Sequence, residues 1–365
     1  MSDPLPMSRP APRLTGRIKT EPEDFIVEEL PAYLPSGEGE HLFLWIEKRD
    51  VPAEQLLRHV ARSLEVDQRD IGAAGMKDRR GVTRQWMSVP ARAHERVAGI
   101  DTDRIRVLSQ SRHGNKLRTG HLTGNRFSIL VRDVASSEGP MDAAEAVVQL
   151  TPLVDEIRQF GFANFFGDQR FGREGETLQL GLDLLAGRKT PRDIPYSRRR
   201  FLLKLSLSAV QSDLFNQALK RRIVDGLLHT VLPGDVMEVV ASGGKFTAED
   251  ATVEQPRRDA GETAITGPLF GPKMRLPTGA VAEREGRLLE QSGLTMESFR
   301  TFPDLLSGTR RPYAIRPGEL LLTADPDGVR LDFTLPPGVY ATTLLGALII
   351  LEGERGASAP CDAAE

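Results

Sequence analysis

At 365 residues with 39% hydrophobic content, the chain is long enough to hold two domains with real cores. No run approaches the ~18 apolar residues of a membrane span, and MSDPLPMSRPAPRL lacks an apolar signal-peptide centre, so the expected location is cytoplasmic, away from membranes. The single cysteine, Cys361, excludes an intramolecular disulfide and a cysteine-rich metal site, six scattered histidines show no HExxH spacing, and a net charge of −3 argues against an indiscriminately basic nucleic-acid binder.

In chain order, a proline-rich start is expected to be a disordered tail through residue 15. GRIKTEPEDFIVEEL then predicts a strand, a turn at Pro22 and a second strand. The apolar run HLFLWIEK predicts a central strand buried on both faces. Pro52 opens an amphipathic helix with Leu56, Leu57, Val60 and Leu64 at helical spacing. Gly72, Gly75 and Gly81 bracket a charged loop, and TRQWMSVP follows as a strand. RIRVLSQ and NRFSILVRDV predict two more strands, joined by the polar segment SRHGNKLRTGHLTG.

At SSEGP the pattern becomes helical. Beyond NFFGDQRFG the periodicity predicts helices over ETLQLGLDLLAG and SAVQSDLFNQALKRRIVDG, the second closed by Gly226, and then short strands among many turn residues. Strand character returns in GVRLDFTLP, followed by a closing helix, ATTLLGALIILE, which together can rejoin the first sheet. The expectation is therefore an α+β protein: one domain over 16–160 and 310–354, an α+β insertion over 161–309, and a disordered tail over 355–365. There is no internal repeat.

Chemistry concentrates in the stretch from Ala74 to Trp86, where Lys77, Arg79, Arg80 and Arg84 surround Asp78. Nearby cations favour an ionised carboxylate, so Asp78 is expected to be an available anion. Taken alone, KDRR also fits a surface loop with an ordinary ion pair. Arginine gathers elsewhere too, in Arg112, Lys116 and Arg118, in Arg198 to Arg200, and in Lys220, Arg221 and Arg222. Any one run reads as a solvated face; several together bring RNA phosphates into consideration.

The Asp78 stretch resembles the signature of the TruD-type tRNA pseudouridine synthases, and further motifs of that family recur in order. They are Lys19 with Pro22 to Glu29, Gly37 to His41, His113 to Phe127, Asn164 to Gly172, and Leu335 to Thr342. The resemblance runs from about Ile18 to Leu351. It implies a pseudouridine synthase catalytic core, a mixed sheet with helices, interrupted by an inserted TRUD domain to form an RNA-binding cleft. The implied substrate is tRNA, with uridine 13 in the D arm as target, Asp78 as nucleophile, and no cofactor or metal. Monomeric action is expected.

Isomerising uridine breaks a C–N bond and forms a C–C bond without redox change or net hydrolysis, so an ionised carboxylate suffices, attacking either the uracil ring or the sugar carbon. The base must first be flipped out and stacked on apolar or aromatic side chains. Phe25, Phe127 and Tyr340 are the aromatic candidates, with Phe127 nearest to plain core packing and Phe25 furthest from it. Asn125 is either a turn residue or, by resemblance, the amide that recognises base or ribose. Lys19 is the candidate cation for Asp78, with Lys77 the second choice. Arg79, Arg80, Arg84, His113, Lys116, Arg118 and Arg170 are candidate RNA contacts, although the histidines equally suit loop hydrogen bonds. One position departs from the family: Gly346 stands where the closing helix usually carries an arginine. Two other classes remain open, a catalytically silent RNA-binding protein of the same fold and a magnesium-dependent nuclease using Glu28, Glu29 and Asp78.

Overall fold

The computed structural model describes residues 14–75, 77 and 79–352. Asp78 lies outside the described residues, as do both chain ends. Of the expected amino-terminal tail only the last two residues are described: Leu14 is buried and Thr15 begins a strand.

Around Pro22 the short β-prone runs form β1 (Thr15–Arg17) and β2 (Phe25–Pro31), separated by a tight turn in which the Asp24 carboxylate accepts from the Glu21 amide at 2.8 Å. β3 (His41–Arg49) precedes α1 (Ala53–Leu64), which starts directly after Pro52 and buries Leu56, Val60 and Leu64 on one stripe. β4 (Gly72–Ala73), β5 (Val82–Pro90), β6 (Ile105–His113), β7 (Leu122–Ser136) and β8 (Gly139–Pro140) follow. Asp142 then caps α2 (Ala143–Phe160), accepting from the Ala144 amide at 2.8 Å.

The next interval holds β9 (Phe162–Ala163), α3 (Glu176–Leu185), α4 (Arg199–Val224), β10 (Val236–Val239), β11 (Lys245–Thr247) and α5 (Ala251–Asp259). After these come β12 (Thr263–Leu269), α6 (Gly279–Gln291), α7 (Met296–Arg300) and β13 (Thr309–Pro312). α4 begins nine residues before the predicted start, taking in two of the arginines of its run, and the left-handed Gly226 follows its end as expected. The chain closes with β14 (Ala314–Ile315), β15 (Gly318–Asp325), β16 (Gly328–Leu335), α8 (Ala341–Leu348) and β17 (Ile350–Leu351). The predicted closing helix is thus cut short. β-branched Ile349 and Ile350 favour extended backbone, and β1 offers a parallel partner, with Thr15 opposite Ile350.

Among the described residues, eleven strands form one mixed sheet with the main path β15-β16-β7-β2-β5-β3-β6. β2 and β5 run parallel, pairing Val27 with Thr83. Parallel partners project to the same side, so Phe25, Val27 and Glu29 share a face with Thr83, Gln85 and Met87. The two larger cores of this sheet lie on that face. One packs Phe127, Ile129, Leu331 and Phe333 against α2 and α8; the other packs Leu42, Leu44, Ile46, Met87 and Val89 against α1. β3 is less enclosed than its apolar run suggests. Its second face buries Phe43 but leaves Trp45 only half-buried against Trp86, 5.1 Å away.

A second sheet, β11-β10-β12-β13, and helices α3 to α7 occupy the interval between β9 and β14, around cores of their own. β9 pairs antiparallel with β14, so the strand leaving the large sheet and the strand returning to it lie side by side. No helix among the described residues is long and apolar enough to cross a membrane.

Candidate active site

Phe25 is the floor of the candidate site. The loop from β4 to β5 comes down on it through Gly81, whose φ of +125° suits glycine and where a Cβ would stand 2.3 Å from the Phe25 carbonyl oxygen. The Lys19 Nζ lies 4.2 Å from the Phe25 ring centroid. Lys19 and the Asp78 loop are therefore brought to the same ring. Arg79 and Arg80 are exposed on that loop.

Lys77 behaves differently from a residue awaiting RNA. It is buried, and its Nζ donates to the Glu29 Oε2 at 2.7 Å, while the Glu29 Oε1 accepts from the Trp86 amide at 3.3 Å. Glu29 is buried on the helix-bearing face, whereas its neighbour Glu28 projects to the opposite face, so the two do not share one metal ion.

Phe25 and Phe127 meet edge to face at 6.3 Å, and Phe127 stacks on Phe333 at 5.2 Å. Both are buried, and Phe25 is the more deeply so, 2% exposed against 7%, which reverses the expected order. On the same face, Asn125 pairs across the ladder with Glu29. The Asn125 Oδ1, Thr83 Oγ1 and Gln85 Oε1 are all buried without a hydrogen-bond partner among the described residues. Such orphans each cost about 1–3 kcal/mol and are rare in native proteins. They lie on the helix-bearing face of β5 and β7, the two strands that flank β2. Sequence alone did not single out Thr83 or Gln85; the signal was two polar residues at alternate positions of a strand whose other members on that face, Met87 and Val89, are apolar.

Tyr340, half-buried, precedes α8 and lies close to Arg311, a residue that the motifs did not bring forward. The Arg311 Nη2 donates to the Asn164 Oδ1 at 2.5 Å and to the Gly338 carbonyl at 3.1 Å. Asn164 in turn donates to the Pro312 carbonyl at 2.9 Å. Burial pushes the Arg311 guanidinium down to about 10, with Tyr340 opposing the shift and Arg170 adding to it. The Asn164 motif therefore braces the strand returning from the second sheet against the loop that carries Tyr340.

Other candidates are not brought to Phe25. Arg84 projects to the opposite face, where Glu47, Arg84, Glu28, Arg126 and Glu319 form a ladder of alternating charge, closest at 2.8 Å between Arg84 and Glu47. His113, Lys116 and Arg118 line a separate cleft of about 650 Å³ with Tyr33, His41 and His121. There His113 stacks on Tyr33 at 5.1 Å, the Tyr33 hydroxyl meets the His121 Nδ1 at 2.7 Å, and Lys116 donates to the Arg69 carbonyl. In the run Lys220 to Arg222, Arg222 is no surface residue. It is buried in a bidentate pair with Asp235, at 2.8 and 2.7 Å.

The comparisons with known proteins agree with the motifs. The family model for tRNA pseudouridine synthase D (TruD) matches residues 8–190 and 198–347. The chain is 42% identical to tRNA pseudouridine synthase D of Anaeromyxobacter dehalogenans, over 93% of this chain and 94% of that protein. It is 38% identical to a protein of that name from Thermus thermophilus, over 95% of this chain and 92% of that protein. Among solved structures, the crystal structure of the putative tRNA pseudouridine synthase D (TruD) from Methanosarcina mazei superposes with a TM-score of 0.74 at 26% identity, covering 93% of this chain and 94% of that one. With a family model across most of its length and near-full-length relatives around 40% identity, the chain belongs to the tRNA pseudouridine synthase D family.

Proposed function

We propose that this protein isomerises uridine to pseudouridine in tRNA, at position 13 of the D arm, with Asp78 as nucleophile. The observation that carries the proposal is the family match across both sheets, with the Asp78 loop anchored on Phe25 beside Lys19. In the reaction the bond from ribose C1′ to N1 breaks, the base turns in place, C1′ bonds to C5, and the C5 hydrogen leaves to solvent. No electrons are gained or lost and no water is added, so no cofactor is called for. Asp78 supplies the nucleophile and Lys19 favours its ionised form. Phe25, Phe127 and Tyr340 supply apolar contact for the flipped base, and the unpartnered Asn125 amide oxygen is suited to accept a hydrogen bond from it.

The polypeptide is read as a catalytic core over 16–160 and 310–354 with a TRUD domain inserted over 161–309; the adjacent crossings β9 and β14 support that division. We place the enzyme in the cytosol, acting as a monomer. The test is tritium release from tRNA transcripts labelled at uracil C5, in EDTA, comparing the parent protein with Asp78→Asn. Release by the parent alone supports the reaction and its nucleophile. tRNA binding without release by either protein favours a silent RNA-binding role, and EDTA-sensitive cleavage of the RNA favours a nuclease.

A further inference from the structure

Two arginines share one aromatic ring. The guanidinium carbon of Arg311 lies 4.1 Å from the Phe166 centroid and that of Arg170 5.7 Å from it. Among the described residues neither faces a carboxylate. Arg311 serves the Asn164 Oδ1 and the Gly338 carbonyl, and the Arg170 Nε serves the Ser212 Oγ at 3.4 Å, all neutral acceptors. The Arg311 Nε is buried and donates to nothing among the described residues. This sets the pair apart from Arg84, Arg132, Arg222 and Arg310, each of which is bonded to a carboxylate. Bringing two like charges together on a partly buried ring is unfavourable unless an anion joins them. Two residues beyond Gly338, the amino end of α8 begins at Tyr340 with no side-chain cap, adding the positive end of a helix.

Building on the tRNA pseudouridine synthase reading, we infer that Arg311 and Arg170, with the uncapped amino end of α8, form a seat for one phosphodiester of the RNA, adjoining the nucleotide that Tyr340 contacts. The chemistry of the seat selects this group. Guanidinium donors match the paired oxygens of a phosphate, and Phe166 holds both planes in place before the RNA arrives, lowering the entropy lost on binding. Phe166 is itself fixed by a reciprocal pair with Asn216, its amide donating to Oδ1 and its carbonyl accepting from Nδ2, both at 2.9 Å. The seat thus rests on α4, while Arg311 reaches across to the Gly338 loop.

The experiment measures the affinity of in vitro transcribed tRNA as a function of salt, with Asp78→Asn as the parent so that turnover does not intervene. Losing one phosphate contact lowers the slope of log K against log salt by about one unit. Arg311→Gln and Arg170→Gln should each weaken binding and lower the slope by up to that amount. The double variant should lose about one unit in total, because both arginines hold the same phosphate, and Arg311→Lys should keep most of the slope. Parental slopes in both glutamine variants would overturn the inference, and so would a loss of two units in the double variant. If Arg311→Gln melts early, Arg170→Gln decides alone, since Arg170 lies outside the brace from Asn164 to Gly338. Tritium release by the protein carrying Asp78 tests the enzymatic reading separately: changed slopes without release would keep the phosphate seat and refute the enzyme.

Discussion

The ammonium of Lys77 and the carboxylate of Glu29 lie 2.7 Å apart, with both side chains buried, joining the Asp78 loop to the middle of the large sheet. Removing one partner of such a pair leaves the other charged and unsolvated, at a cost of about 3–5 kcal/mol. Lys77→Met is expected to destabilise the protein by that amount in urea unfolding, and Lys77→Met combined with Glu29→Leu to recover much of it. Near-parental stability of the single variant would show that the pair is not tightly desolvated.

Gly81→Ala tests the contact with Phe25. A Cβ at this position meets backbone, which yields less readily than a side chain, so the loop must lift. Displacement of a catalytic group by about 1 Å can cost ~10²-fold in rate. A fall of that order in the single-turnover rate is expected, with a smaller change in tRNA affinity. Parental kinetics would separate the loop position from catalysis.

Asn125→Leu removes a buried oxygen that makes no hydrogen bond among the described residues. Stability should stay within about 1 kcal/mol of the parent, since no hydrogen bond to this oxygen is lost among the described residues. If the oxygen meets the substrate base, kcat/KM on tRNA falls by about tenfold or more. A stability loss with unchanged kcat/KM would make Asn125 structural.

His229 predicts a pH dependence. Burial holds its imidazole down at about 4, and the nearby Arg258, which donates to its Nδ1, pushes in the same direction. The unfolded chain takes up a proton near the ordinary histidine value of about 6.5, while the folded protein does so only near 4. Its contribution to stability is therefore fully present above about pH 6.5 and is lost as pH falls from there to 4. The total is on the order of 2 kcal/mol after allowing for partial solvent screening. Denaturant midpoints measured between pH 7 and pH 4 should fall less steeply in His229→Gln; parallel curves would contradict the assignment.

Elements with strong local patterns are legible in the order of residues itself. α1 carries Leu56, Val60 and Leu64 on one stripe, and β16 alternates buried and half-buried residues along its length. β17 is not legible in this way, because its identity depends on β1, more than three hundred residues away in sequence. The same limit applies to charge. Lys77 and Arg222 read as surface cations until Glu29 and Asp235 come to meet them, and no local pattern announces either meeting. Arg311 shows the reverse case. Its surroundings come from Asn164, Phe166, Gly338 and Tyr340, segments that only the return from the second sheet brings together.

That return has an evolutionary consequence. Phe162–Ala163 and Ala314–Ile315 form a two-stranded neck, so everything spliced between them starts and finishes about 5 Å apart. Such ends let the intervening segment behave as a cassette, free to lengthen, shorten or be exchanged without disturbing the register of the large sheet. Arg170 lies in the inserted domain and Arg311 on β13, just inside the neck, so if the phosphate seat holds, an exchange of the whole interval between β9 and β14 carries both arginines with it and RNA preference diversifies independently of the chemistry.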